Sequence, residues 1–218
     1  MKFLTCLILS VFTTVADYTF RTQCSVEVNA PADAADKVID QLIYDFQYDF
    51  EHLFDWAFFG LGKQNNDAHD ALLLQSKNII YEPEKEFGSI TLDVIVANSM
   101  TLRNITIQGV IQDKRGQQGF APTSRVDALT MEQISTWSRH IYIRANPNSF
   151  IFNQAFGNLY IIPIDESRSI YFMDINFCFA WYLRLFVTSR IYRNTIQWRV
   201  KHYMNNLKRA AEEPDFMK

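Results

Sequence analysis

Four histidines, a band of acids and one glycine–lysine step are the residues of this 218-residue chain that could do chemistry. His52, His69, His140 and His202 form no His-Glu-x-x-His pair, and no cysteine stands beside them at metal-ligand spacing, so each reads as a surface or satisfied histidine and no metal site is expected. Gly60-Leu61-Gly62-Lys63 lacks the Walker spacing and the Ser or Thr that must follow the lysine, and it reads as a loop after a helix. No Gly-x-Ser-x-Gly elbow offers a serine nucleophile. Carboxylates abound, but sequence pairs none of them as acid and base, so no motif designates a catalytic residue or a cofactor. Asp174 and Asn176 share one face of an alternating segment whose other face carries Tyr171, Met173, Ile175, Phe177 and Phe179. Their face is either the solvent side or, if it lined a cavity, a source of polar hooks or a catalytic acid. Asn104-Ile105-Thr106 has the form of a glycosylation acceptor, which matters only in a eukaryotic secretory route.

The elements that must position these residues can be read from periodicity. Tyr18, Phe20, Cys24, Val26 and Val28 alternate with polar residues, which predicts a half-buried strand ending at Asn29-Ala30-Pro31. Val38, Leu42 and Phe46 then follow at helical spacing behind Asp33 and Asp36, acids that suit the positive end of a helix dipole. A helix is expected through most of Ala34 to Phe59, with a break near Tyr48. Strands are predicted at Leu72–Tyr81, Ser89–Val96, Thr101–Gln112, Val126–Met131, Arg139–Ala145, Asn158–Ile164 and Ser169–Ala180. The turn-rich stretch from Lys114 to Ser124 reads as a loop between strands. A closing helix runs from near Phe186 to near Ala211, stopped by Pro214, with Tyr192, Ile196, Val200, Tyr203 and Leu207 as its apolar stripe. This order argues for an α+β domain with an antiparallel sheet.

Lys2 precedes an apolar run from Phe3 to Phe12, and Thr13-Thr14-Val15-Ala16 comes before Asp17. Thr14 and Ala16 suit the pockets of a signal peptidase, which predicts a cleavable signal peptide over 1–16 and export to the periplasm or cell exterior. The run falls short of the roughly 20 residues a transmembrane helix needs, and Cys6 comes too early for a lipoprotein. The remainder suits one domain over 17–213 with a tail at 214–218. The 15% aromatic content calls for a thick core or a greasy cavity. Net charge is −3, or −4 once Lys2 leaves with the leader, which argues against a general nucleic-acid binder. Charge is unevenly spread, with seven acids between Asp33 and Asp55 and seven basic residues between Arg184 and Arg209. Two solvated helix faces account for this, as would a basic face that makes peripheral contact with anionic lipid.

Three stretches resemble the START-like superfamily (SRPBCC, helix-grip, Bet v 1-like). They are Cys24-Ser25-Val26-Glu27-Val28-Asn29-Ala30-Pro31-Ala32-Asp33 with Lys37-Val38 after it, Phe156-Gly157-Asn158-Leu159-Tyr160-Ile161-Ile162-Pro163, and the closing segment from Trp198 to Leu207-Lys208-Arg209. The resemblance covers most of 18–211. It implies a helix-grip fold, a curved antiparallel sheet wrapped around the long C-terminal helix, with an apolar cavity between them. Many such proteins bind lipids, sterols, quinones or polyketides, and some act on them as enzymes. The occupant implied for this chain is an apolar small molecule held without a cofactor, with Ile196 and Val200 lining the cavity from the helix and Ile107, Ile141 and Phe177 from the strands. A cyclase or hydratase would instead show a buried acid aimed into the cavity. A protein- or membrane-docking module would expose the aromatic segment 44–59, around Phe54, Trp56, Phe58 and Phe59. The segment Asp45–Gly62 is longer and greasier than the usual connection, which leaves the cavity mouth open to question. The family also makes the first and last strands neighbours. Cys24 and Cys178 then fall on opposite faces of the sheet by strand parity, and two free thiols are expected.

Overall fold

The computed structural model describes residues 18–60, 71–96, 100–115, 136–147, 152–179 and 196–218. Along the chain come β1 (Tyr18–Val28), α1 (Ala32–Tyr48), α2 (Phe50–Trp56), β2 (Ala71–Glu82), β3 (Phe87–Val96), β4 (Met100–Arg115), β5 (Arg139–Pro147), β6 (Phe152–Pro163), β7 (Ser169–Phe179) and α3 (Trp198–Glu212). The expected signal peptide, the candidate strand at Val126–Met131 and the early part of the expected closing helix lie outside the described residues. The seven strands make one antiparallel sheet in the order β1-β7-β6-β5-β4-β3-β2. Strands β2 to β7 are a meander, and β1 joins its far edge.

Register sorts the side chains into two faces. Cys24 lies opposite Met173, Met173 opposite Leu159, and Leu159 opposite Ile141, and this row belongs to the inner face. Val28, Ile161 and Tyr171 on that face bury themselves against Val38 and Ile39 of α1 and Met204 and Leu207 of α3. Each such burial stabilises by about 1.5–3 kcal/mol.

The sheet bends at glycines. A Cβ on Gly109 would collide with the Arg144 carbonyl of β5 and come within 2.8 Å of its carbon, and one on Gly157 would lie 2.8 Å from the Asp174 carbonyl of β7. Neighbouring backbones approach there more closely than any side chain allows, which is how a strand glycine curls a sheet.

The break in the N-terminal helix falls at Asp49, whose backbone leaves helical geometry (φ −144°, ψ 69°) and whose carboxylate accepts the His52 N–H at 3.1 Å to cap α2. Below the break, Asp45 is 1% exposed. It accepts hydrogen bonds from Gln41 Nε2 at 2.7 Å, His52 Nδ1 at 2.8 Å and Trp56 Nε1 at 2.8 Å. The other ring nitrogen of His52 faces the Met217 carbonyl at 2.8 Å, which ties the C-terminal turn Pro214–Met217 to α2. At the far end of α2, the orphan carbonyls of Ala57 and Phe59 accept from Asn206 Nδ2 of α3 at 3.1 and 2.9 Å. His202 Nε2 donates to the same Phe59 carbonyl at 3.0 Å.

Asp40 of α1 finds its partners in the sheet rather than in the basic closing helix. Arg139, 1% exposed, forks onto Asp113 at 2.9 and 2.6 Å and reaches Asp40 at 2.9 Å, while Arg115 also pairs with Asp40. On α3, Lys208 and Arg209 pair with the nearby Glu212 and Glu213.

Asp174 is not on a solvent face. It lies on the outer face, as parity requires, but is 3% exposed and forks with Arg21 (Nε to Oδ1 2.7 Å). Beside it Trp137, Tyr160, Ile162, Ile170 and Phe172 form a second buried cluster, so β6 and β7 are buried on both faces. Asn176 is half-buried on the same outer face. Neither residue enters the inner cavity, which removes the reading of the pair as ligand hooks or catalytic acid. The two thiols, Cys24 opposite Met173 and Cys178 opposite Thr19, are free and on opposite faces.

Candidate functional site

Between α1 and the inner face lies a cavity of about 280 Å³. Leu42, Ile43 and Phe46 form its α1 wall, Tyr203 of α3 closes one end, and Ile107, Ile111, Ile141, Leu159, Met173 and Ile175 rise from the strands. Its floor is made of small residues. Gly88 pairs with Gly109, Gly109 with Ala145, and Ala145 with Ala155, so four adjacent strands meet at side chains no larger than a methyl group. Gly157 lies beside this row. Space is left here because the sequence places nothing bulky where the helix does not reach. Ile143, on the inner face, is 45% exposed, and the cavity is open beside it.

An aromatic ladder spaced by four residues forms the neighbouring wall. Ring centroids are 6.0 Å apart for Phe46–Phe50, 5.3 Å for Phe50–Phe54, 4.8 Å for Phe54–Phe58 and 5.2 Å for Phe58–Tyr203. Both end members line the cavity. The aromatic segment is thus divided. Trp56 is buried, Phe54 and Phe58 are half-buried in the ladder, and Tyr44, Tyr48 and Phe59 are exposed.

Of the residues expected to line the cavity, Ile107 and Ile141 do. Phe177, Ile196 and Val200 do not. Phe177 shares the inner face but lies farther along β7, opposite Phe20 and Ala155. Ile196 is in the turn that leads into α3, and Val200 is buried on the stripe of Met204 and Leu207 that meets the core. Among the described residues of the closing helix, Val200, Met204 and Leu207 are spent on core packing, and Tyr203 is what reaches the cavity. The floor glycines and alanines escaped the sequence reading, which looked for large apolar residues. Their signal was a set of small residues inside predicted strands.

Among the described residues no Asp, Glu, His, Lys or Cys lines the cavity. Arg144 borders it, but strand alternation assigns Arg144 to the outer face, opposite Phe156 and Val110. His140 is also on the outer face, stacked on Tyr160 at 4.3 Å with Nε2 on Asn158 Oδ1 at 2.9 Å, and burial lowers its pKa. No group of three metal-ligating side chains occurs among the described residues. Burial raises the pKa of Tyr203, and burial together with the charge of Asp113 raises that of Tyr81, so both cavity phenols stay neutral at physiological pH.

The sequence matches no protein-family model and no curated protein. Its likeness is to solved structures. A truncated norcoclaurine synthase from Thalictrum flavum aligns over 92% of this chain and 98% of its own, with a TM-score of 0.51 at 11% identity. The Zhui aromatase/cyclase from Streptomyces sp. R1128 aligns over 91% and 96%, with a TM-score of 0.47 at 11% identity. A START superfamily protein from Mycobacterium smegmatis aligns over 89% and 98%, with a TM-score of 0.45 at 11% identity. The fold is of the helix-grip kind, an α+β antiparallel sheet with a C-terminal helix, shared with the norcoclaurine synthase. Identity this low speaks for the fold and for no chemistry.

Proposed function

We propose that this chain is an exported binding protein for an apolar small molecule held between α1, the sheet and Tyr203. The carrying observation is the cavity of about 280 Å³ with almost wholly apolar walls and a floor of small residues. A stable fold has no reason to leave such a space, since filling it would add contacts and bury more apolar surface. The cyclase or hydratase reading called for an acid aimed into the cavity, and among the described residues none lines it. The docking reading called for an exposed aromatic patch around Phe54, Trp56, Phe58 and Phe59, and of these Trp56 is buried, Phe54 and Phe58 are half-buried and Phe59 is exposed.

Ala155→Leu and Ala145→Leu each fill the floor from one methyl group outward. Both variants keep the wild-type melting temperature or raise it, and both lose at least about tenfold in affinity for a fluorescent apolar probe such as 1-anilinonaphthalene, as loss of shaped apolar contact predicts. Unchanged probe affinity in both would rule out this cavity as the site.

Export belongs to the same proposal. The first described strand starts at Tyr18, so cleavage after Ala16 leaves the sheet whole. N-terminal sequencing of material recovered outside the cytoplasm is expected to read Asp17-Tyr18-Thr19, and a start at Met1 would defeat it.

A further inference from the structure

Two hydroxyls stand out in the lining. Tyr81 and Tyr203 both line the cavity, and neither side chain makes a hydrogen bond among the described residues. The contrast is with the fully buried Tyr171, whose hydroxyl donates to the Ala35 carbonyl at 2.9 Å, whereas Tyr81 and Tyr203 are half-buried. A half-buried phenol on an apolar wall, with its hydroxyl unbonded, is a hydrogen-bonding group at hand for an occupant that carries an oxygen. The remaining polar residues at the rim are accounted for. Ser89, Gln108 and Asn158 belong by alternation to the outer face, and Asn158 is bonded to His140.

The charge of the occupant can be read in the same way. Arg139, a described cation on the inner face, has its guanidinium already taken by Asp113, by Asp40 and, at 3.0 Å, by the Asp36 carbonyl. A carboxylate in this cavity would lie against apolar walls and two neutral phenols, with no Lys or His among the described lining residues and with Arg144 assigned to the outer face. At about 280 Å³ the space is also at the small end of ligand cavities, which run from roughly 300 to 1,000 Å³.

Building on the binding function proposed above, we infer that the occupant is a compact, uncharged ring compound bearing a hydroxyl or carbonyl oxygen, and that Tyr81 and Tyr203 hold that oxygen. A phenol both donates and accepts, so either kind of oxygen satisfies it. A carboxylate could accept from the same pair but would find no counter-charge there, so a neutral oxygen is the better match.

Three probes of one skeleton test this: 2-naphthol, 2-methylnaphthalene and 2-naphthoate, titrated by calorimetry into purified wild-type protein and into Tyr81→Phe, Tyr203→Phe and the double variant. Wild type binds 2-naphthol about threefold to tenfold more tightly than 2-methylnaphthalene, the range one net hydrogen bond supports, and binds 2-naphthoate weakest. Each Phe substitution shrinks the naphthol preference and the double variant abolishes it. Affinity for 2-methylnaphthalene stays unchanged throughout, which also reports that the variants are folded. Equal binding of 2-naphthol and 2-methylnaphthalene by wild type, or a preference that survives in the double variant, overturns the role of the tyrosines and leaves the cavity standing as an apolar site. Tight binding of 2-naphthoate overturns the neutral occupant. If none of the probes binds, the binding function falls together with this inference.

Discussion

Gly109→Ala lowers the unfolding free energy by about 3 kcal/mol or more, nearly as much as Gly109→Val does. Enlarging a residue in a packed region ordinarily costs about 1–3 kcal/mol and grows with the size of the insertion. Gly109 departs from that rule because the first methyl group already meets the Arg144 carbonyl and carbon, which are backbone and cannot swing aside. The only relief is to part β4 from β5, which breaks the ladder from Gln108–Asn146 to Val110–Arg144 and flattens the sheet under the cavity. Denaturant titration of the two variants is the measurement. A graded loss, with alanine well tolerated and valine not, would show that side-chain crowding rather than strand approach sets the requirement.

The second large effect is at Asp45. Asp45→Ala strands the buried Trp56 N–H and removes the partner of His52 Nδ1, and unsatisfied buried groups cost about 1–3 kcal/mol each, so a loss of roughly 3 kcal/mol is expected. The same substitution alters the dependence of stability on pH. Burial pulls the His52 pKa down, but the hydrogen bond and charge of Asp45, the Met217 carbonyl and Asp49 outweigh it, and the folded-state pKa ends above the usual imidazole value of 6.5. Both ring nitrogens face acceptors, a geometry that only the imidazolium satisfies twice. A pKa raised on folding means that the contribution is complete below the unfolded value and is lost as pH rises through the folded one. Wild-type stability therefore falls as pH rises from about 6 through the folded pKa of His52, and in Asp45→Ala and His52→Gln that component is gone. A wild-type curve flat across this window would exclude His52 as its source.

Much of the fold was legible because its signals are local. The alternation of Phe20, Cys24, Val26 and Val28 marks β1, and α1 stops next to Tyr48, where periodicity wavers. Strand β6 begins earlier than expected, at Phe152, because Asn153, Gln154 and Gly157 disguise its start. Parity along β7 identified the two faces correctly, but solvent exposure could not be read from it. Asp174 looks like a surface residue until Arg21, 153 positions away, is brought beside it. The cavity was the least legible part. It depends on where α1 lies over the sheet and on small side chains gathered from four strands, and neither is encoded at any one stretch of sequence. Val200 and Ile196 sit on a clear apolar stripe, yet a stripe says only that a helix face is buried and not whether core or empty space covers it.

The place of β1 has a consequence for how the chain acquires its structure as it is made. Every other strand pairs with a neighbour made just before or after it, but Thr19 meets Cys178 across 159 positions. A chain synthesised N-terminus first releases β1 before any partner exists, and β1 keeps an unpaired edge until the last hairpin has been made. Meanwhile the meander can assemble in order from β2. Docking of β1 on β7 is then the late step that commits the domain, and the interval before it is when a holding chaperone would be most needed.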